Sequence, residues 1–229
     1  MDSPGPYRYR LVDLPGPRGN AWFSSYLSRP VRELLDAGPA AQRRLQSPHS
    51  ADVCILFTDI RGFTDLSPTI DLDALFRTVD ACIGRQIRLI EYYNGYVDNF
   101  TGDGLMAVFD GSGMEENACR CALEVVARAL PVLRCPEATV MPIGAGLHRG
   151  HVAMGTLGAE TRRTYTSIGD TVNRAARLAG FAWGRELMIS NRIREGVSAD
   201  IARQFAPVPV SRLRRDMDPV APVYRSRRA

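Results

Sequence analysis

Four residues of this chain have the types and spacing to handle a phosphate ester. Asp59 stands in Phe57-Thr58-Asp59-Ile60-Arg61-Gly62-Phe63-Thr64, directly after the continuous apolar run Val53-Cys54-Ile55-Leu56-Phe57. Such a run reads as a buried strand. The turn Arg61-Gly62-Phe63-Thr64 that follows can present backbone N–H groups to phosphate oxygens. Asp103 lies between Gly102 and Gly104, in a tight connection between two further apolar segments. If their strands are neighbours, Asp59 and Asp103 share one end of a sheet. Two carboxylates there suit Mg²⁺, which takes a few protein oxygens and completes its shell with substrate phosphates and water. Taken singly, each aspartate also reads as an ordinary helix cap or turn residue. Asn173 and Arg177 are four apart in a stretch that begins with Asp170, a good helix N-cap. They project from one helical face. An amide beside a guanidinium can bind a sugar and a phosphate, although a solvated polar stripe has the same pattern.

The elements that must position these residues follow from periodicity. Leu72, Leu75, Phe76, Val79, Ile83, Ile87 and Ile90 recur at helical steps, and Asn94-Gly95 stops that helix. Tyr96 to Phe100 and Leu105 to Phe109 read as strands joined in a hairpin by Thr101-Gly102-Asp103-Gly104. A second helix carries Ala118, Ala122, Val125, Val126 and Ala129 and ends at Pro131. Val140 to Leu147 and Val152 to Leu157 read as two strands, with His148-Arg149-Gly150-His151 as a turn between them. A short strand at Tyr165 to Ile168, a helix from Thr171 to Ala179 and a strand at Leu187 to Ser190 complete the pattern. The order strand, helix, strand, strand, helix, strand predicts an α+β fold with a ferredoxin-like βαββαβ core and a C-terminal αβ extension. Its helices should lie on one sheet face, leaving the other face or the strand ends for a site.

The 229 residues predict one domain with an added segment. Residues 1–50 form that segment: Pro and Gly interrupt it, short helices fit Val31 to Asp36 and Ala40 to Gln46, and Ser47-Pro48-His49-Ser50 reads as a linker. The apolar cluster Ala21-Trp22-Phe23 and Tyr26-Leu27 is costly to leave exposed, so the segment is expected to pack on the domain from 51 to 225 and modulate it. Apolar residues make up 45% of the chain, enough for a sizeable core, and the net charge is only +4. The arginines near the termini lack the aromatic interleaving of a nucleic-acid surface, so no nucleic-acid partner is expected. No apolar run is long enough for a membrane span, and no signal-peptide core is visible. The five cysteines show no zinc spacing and read as reduced thiols of a cytoplasmic protein.

Four motifs in series resemble the catalytic domain of the class III adenylate/guanylate cyclases, in the form of a stand-alone bacterial enzyme. They are Phe57 to Thr64, Phe100-Thr101-Gly102-Asp103-Gly104-Leu105-Met106-Ala107-Val108-Phe109, Gly144-Ala145-Gly146-Leu147-His148, and Tyr165-Thr166-Ser167-Ile168-Gly169-Asp170-Thr171-Val172-Asn173. The resemblance implies closure of a nucleoside triphosphate to a 3′,5′-cyclic monophosphate with loss of pyrophosphate. It implies two Mg²⁺ or Mn²⁺ ions per site, held by Asp59, Asp103 and the backbone carbonyl of Ile60. Asn173 resembles the asparagine that orients the ribose, and Arg177 the arginine that stabilises charge on the α-phosphate. Arg214 falls where many relatives carry a lysine that grips the terminal phosphates. The site would span the interface of a head-to-tail homodimer, the aspartates from one protomer and Asn173 and Arg177 from the other.

The base is less legible. Relatives that use ATP usually carry a lysine where this chain has Asn99, four residues before Asp103. The second base-reading position is Thr166, seven residues before Asn173. Both side chains are neutral and each can donate or accept a hydrogen bond. ATP is the favoured expectation, with a uridylate or cytidylate cyclase of antiphage signalling or a guanylate cyclase as alternatives. A catalytically silent cyclase-like partner would be expected to lack one of Asp59, Asp103, Asn173 and Arg177, and this chain keeps all four. A ferredoxin-like RNA-binding module would need exposed strand aromatics, for which Tyr96 and Phe100 are candidates better read as core or interface. The glycine-glycine-acidic signature of diguanylate cyclases is missing. Met106, Met141, Met154 and Met188 read as core, and Tyr92-Tyr93 as packed at a helix end. Nothing in the sequence identifies an upstream regulator.

Overall fold

A computed structural model describes residues 25–45, 47–129, 132–134, 138–159, 161–209 and 222–226. Two short helices come first, α1 (Arg29–Asp36) and α2 (Pro39–Leu45). Strand β1 (His49–Ile60) is longer than its apolar run and starts inside the expected linker. The short helix α3 (Phe63–Leu66) follows the Asp59 turn, and the long helix α4 (Leu72–Tyr92) comes next. Asp71 caps α4, accepting a hydrogen bond from the Ala74 N–H at 3.0 Å. At its other end Asn94 takes the left-handed conformation (φ 61°) that stops a helix. Strands β2 (Tyr96–Thr101) and β3 (Gly104–Phe109) form the expected hairpin, and α5 (Met114–Arg128) follows.

Beyond α5, β4 (Val132–Arg134) and β5 (Ala138–Val140) make a separate two-stranded ribbon. Then comes β6 (Ile143–Ala159), a single strand of 17 residues. The turn expected at His148 to His151 does not exist: His148 pairs with Ile55, Arg149 with Cys54, Gly150 with Val53 and His151 with Asp52 in an unbroken antiparallel ladder. β1 offers twelve partners in register, and that ladder outweighs the local turn preference of Arg-Gly. β7 (Arg162–Ile168) pairs with the second half of β6. Helix α6 (Asp170–Phe181), β8 (Glu186–Ser190), α7 (Asn191–Gly196), α8 (Ala199–Ala202), β9 (Phe205–Pro207) and β10 (Val223–Ser226) complete the fold. Gly169, not Asp170, is the N-cap of α6; Asp170 is its first residue and pairs with Arg174 at 2.5 Å.

The strand order β2-β3-β1-β6 is the ferredoxin-like arrangement, extended by β8, β10 and β9. The sheet is covered on both faces. On one, Cys54, Leu56, Leu105, Ala107 and Leu147 pack against Cys82 and Ile90 of α4 and Ala118, Ala122 and Val125 of α5. On the other, Val53, Ile55, Met106, Val108, Val152 and Met154 meet Ala175 and Val172 of α6. The expectation of helices on one face alone therefore holds for α4 and α5 but not for α6. Alternation along β1 puts Thr58 on the α4 side, where its hydroxyl donates to Gln86 Oε1 at 2.8 Å and accepts from the Leu105 N–H at 3.3 Å. The four methionines read as core are buried, whereas Tyr92 is exposed and only its neighbour Tyr93 packs, donating to Glu124 at 2.9 Å.

Candidate active site

The sheet brings Asp59 and Asp103 together. Thr58 of β1 pairs with Leu105 of β3, and Thr101 of β2 pairs with Gly104, so the hairpin tip lies beside the end of β1. The approach is very close. A Cβ on Gly104 would sit 1.9 Å from the Thr58 carbonyl oxygen, so only glycine allows it. As a result Asp103 Oδ2 accepts the main-chain N–H of Ile60 at 3.1 Å. Burial pushes the Asp103 carboxyl up from its ordinary value, and the charge of Asp59 pushes it the same way, while the N–H bonds and Arg61 pull it down.

Arg61 balances the first aspartate, donating from Nη1 to Asp59 Oδ2 at 2.7 Å. Its Nη2 donates to the carbonyl of Ala179 in the last turn of α6. The guanidinium lies against Gly144, where a Cβ would come within 2.4 Å of Nε. Arg61 is thus a tie between β1 and α6, a contact its place in the turn did not announce. Gly62 opens α3, Phe63 packs against the core and Thr64 is exposed. The Ile60 side chain is buried and its N–H is given to Asp103, which leaves its carbonyl as the only group it could offer a cation.

Two nearby carboxylates and a main-chain oxygen are hard donors, and the site is short of positive charge, so these residues fit a small divalent cation. Among the described residues no group of three or more His, Cys, Asp or Glu side chains is assembled. The remaining ligands of such a cation would have to be water or phosphate oxygens.

Asn173 and Arg177 are both exposed on α6. The start of the helix is fixed by Thr171, whose hydroxyl donates to the His151 carbonyl at 2.7 Å, and its end by Arg61. Thr171 therefore lies at the part of β6 that pairs with Asp52, and α6 runs from there toward Gly146, which pairs with Phe57, so that Asn173 sits nearer the first end and Arg177 nearer the Asp59 end. Arg214 lies outside the described residues, as do Ala21-Trp22-Phe23.

Asn99 and Thr166 come from β2 and β7, and the residue joining them is one that sequence reasoning missed. A bulge between Val97 and Asn99 leaves Asp98 out of the β2–β3 ladder. Asp98 Oδ1 accepts the Thr166 hydroxyl at 2.5 Å, and Oδ2 accepts the Ser167 N–H at 3.0 Å. The Asn99 side-chain oxygen accepts the Phe100 N–H at 2.9 Å. The signal available in the sequence was an acidic residue inside a strand pattern. His148, read as a turn residue, is instead buried, and desolvation lowers its imidazole from 6.5 to about 4, with Arg174 and Arg192 acting in the same direction.

The family model for the adenylate and guanylate cyclase catalytic domain matches residues 45–209. An adenylate cyclase of Anabaena cylindrica is 32% identical over 189 residues, 77% of this chain and 35% of that protein. Adenylate cyclase 1 of Rhizobium meliloti (strain 1021) is 31% identical over 166 residues, 69% of this chain and 24% of that protein. The chain thus spans about a third or less of these relatives' length. A bacterial light-regulated adenylyl cyclase superposes with a TM-score of 0.74 at 25% identity, over 90% of this chain and 60% of that one. With the family model matched across most of its length, the chain belongs to the adenylate and guanylate cyclase catalytic domain family.

Proposed function

We propose that the chain is a nucleotidyl cyclase that converts ATP to cyclic AMP and pyrophosphate as a homodimer with two shared sites. The observation that carries this reading is the carboxylate pair at the sheet end, with Asp103 held by the N–H of Ile60, the residue that follows Asp59. The ribose 3′ oxygen would form a bond to the α-phosphorus as the bond to the β-phosphate bridging oxygen breaks, and the 3′-hydroxyl proton would pass to solvent. Two divalent cations at Asp59, Asp103 and the Ile60 carbonyl, when bound, would supply the Lewis acidity for that displacement. The residues of the chain orient and neutralise. The Arg61 N–H is given to the Pro142 carbonyl at 2.8 Å, which leaves Gly62 to Thr64 as the part of the turn to offer main-chain N–H groups to phosphate oxygens; Asn173 orients the ribose, and Arg177 meets charge on the α-phosphate. Arg214 is the candidate for the terminal phosphates.

The dimer reading rests on the family resemblance, which implies a site with the aspartates from one protomer and the asparagine and arginine from the other. In that arrangement a second copy would bring its Asn173 and Arg177 to the aspartates of the first. The relatives named adenylate cyclases favour ATP. Asn99 in place of a lysine keeps a pyrimidine triphosphate as the second reading. Among the described residues no helix is long and apolar enough to cross a membrane, which fits a cytoplasmic enzyme. The N-terminal segment is proposed to modulate activity: Arg29 of α1 pairs with Asp110 at 3.6 Å and lies 5.4 Å from the centre of the Tyr96 ring. Deleting residues 1–45 should change activity or stability.

The test is incubation with Mg²⁺ or Mn²⁺ and ATP, GTP, UTP or CTP in turn, products being resolved by mass spectrometry. Cyclic AMP formed by the wild type and absent with Asp59→Ala is the expected result. No cyclic nucleotide from any of the four with either metal would overturn the reading.

A further inference from the structure

The hydroxyl of a threonine carries one proton and two lone pairs, so by itself it reads an amino group and a carbonyl equally well. Thr166 does not have that freedom. Its proton is given to Asp98 Oδ1 at 2.5 Å, and Asp98 is itself oriented by the Ser167 N–H on Oδ2 at 3.0 Å. The β2 bulge puts Asp98 in position, because a regular ladder would have paired it with β3. What Thr166 can still offer is a lone pair. Asn99 is fixed in the opposite sense. Its oxygen accepts the Phe100 N–H at 2.9 Å, which turns its NH₂ outward. The pair therefore presents one donor, Asn99, and one acceptor, Thr166.

Thr166 is half-buried and Asn99 is exposed. A base entering edge-first brings its exocyclic substituent deepest, to Thr166, and its ring nitrogen to Asn99. An exocyclic amino group, as on adenine or cytosine, then donates to Thr166 while the unprotonated ring nitrogen accepts from Asn99. An exocyclic carbonyl, as on hypoxanthine, guanine or uracil, would face lone pair against lone pair, and its ring N–H would meet the Asn99 donor. We propose that Asp98 is a specificity-determining positioning residue, which fixes the polarity of the Asn99–Thr166 pair and so selects nucleotides whose base carries the 6-amino group of adenine or the 4-amino group of cytosine, each beside an unprotonated ring nitrogen. The inference rests on the reading of Asn99 and Thr166 as the base-recognition residues.

Inosine triphosphate differs from ATP in replacing the amino group by a carbonyl, with the ring nitrogen protonated to match. The experiment compares ATP with ITP on wild type and Asp98→Asn in two ways. One is kcat/KM for cyclisation. The other is binding, with Mn²⁺, of the 3′-deoxy analogues of both nucleotides, which lack the attacking oxygen. In Asp98→Asn the amide oxygen can keep the Ser167 bond while its NH₂ donates to Thr166, which releases the hydroxyl proton toward the base. The wild type should prefer the adenine compound roughly tenfold to a hundredfold in both measurements. Asp98→Asn should bring that ratio to within about threefold, with the gain on the inosine side. Equal use of the two bases by the wild type, or a ratio unchanged in Asp98→Asn, would overturn the inference. If no nucleotide is cyclised, the cyclase reading falls while the binding ratio still decides the polarity. Should Asp98→Asn fail to fold, Thr166→Val decides: loss confined to the adenine compound supports the acceptor role, and a greater loss for the inosine compound overturns it.

Discussion

The main-chain N–H of Ile60 donates to Oδ2 of Asp103 across 3.1 Å, so the second aspartate is held by the residue that follows the first. The contact exists because Gly104 lets the hairpin tip settle on the Thr58 carbonyl, where a Cβ would come within 1.9 Å. Gly104→Ala must push the tip away from β1. It should cost about 1–3 kcal/mol of stability, as overpacking does, and reduce the metal-dependent activity much more than that loss of stability explains. Chemical denaturation and an activity assay at a temperature where the variant is fully folded separate the two effects.

Beneath this contact, Thr58, Gln86 and Cys82 form a buried polar chain on the α4 side of the sheet. Thr58 donates to Gln86 at 2.8 Å, and Gln86 in turn reaches the Cys82 sulfur at 3.4 Å. Thr58→Val would leave the Leu105 N–H and the fully buried Gln86 without their hydroxyl partner. A loss of about 1–3 kcal/mol is expected in urea unfolding. Thr58→Ser, which keeps the hydroxyl, should recover most of it.

A pH signature follows from His148. Burial holds the folded imidazole at about 4 against an ordinary 6.5, so between those values the unfolded chain binds a proton that the folded chain refuses. Stability is therefore lost as pH falls through this window, at up to about 1.4 kcal/mol per pH unit. Between pH 7 and pH 5 the urea midpoint should drop by the equivalent of roughly 2 kcal/mol. His148→Phe should flatten that dependence, and an unchanged slope would count against it.

Sharing of the site between protomers has a quantitative test. Asp59→Ala and Arg177→Ala should each be nearly inactive alone. Mixed and allowed to exchange subunits, half the dimers are hybrids, each with one intact site. The mixture should therefore reach about a quarter of wild-type activity. Mixtures that stay as inactive as their components would mean that Asp59 and Arg177 act within one chain.

Much of the positioning was legible because burial and period carry it. The apolar run before Asp59, the helical stripe from Leu72 to Ile90 and the glycines around Asp103 each report a local constraint. The ferredoxin-like order follows from those elements. What was not legible depended on partners distant in sequence. His148 to His151 carry turn residues, yet β1 supplies a continuous ladder that keeps β6 straight through them. Asp98 looks like a polar interruption of β2, and its role emerges only when β7 arrives with Thr166 and Ser167. Arg61 reads as a turn residue and proves to be a tie to Ala179, 118 residues away. The short helices α7 and α8 carry too few turns for periodicity to reveal them.

The bulge at Asp98 divides β2 into two parts that can change separately. On one side Tyr96 and Val97 pair with Val108 and Ala107; on the other, Asn99 to Thr101 pair with Met106 to Gly104 and lead to Asp103. Substitutions at positions 98 and 99 can alter what the strand offers a base without touching the pairing that holds Asp103. Deleting Asp98 would instead remove the bulge and close the ladder, with Val97 and Asn99 keeping Ala107 and Met106 as partners, and would take away the contacts to Thr166 and Ser167. For an evolving lineage the hairpin is modular: substrate preference can drift at the bulge while the ladder from Asn99 to Thr101, which leads to Asp103, stays as it is.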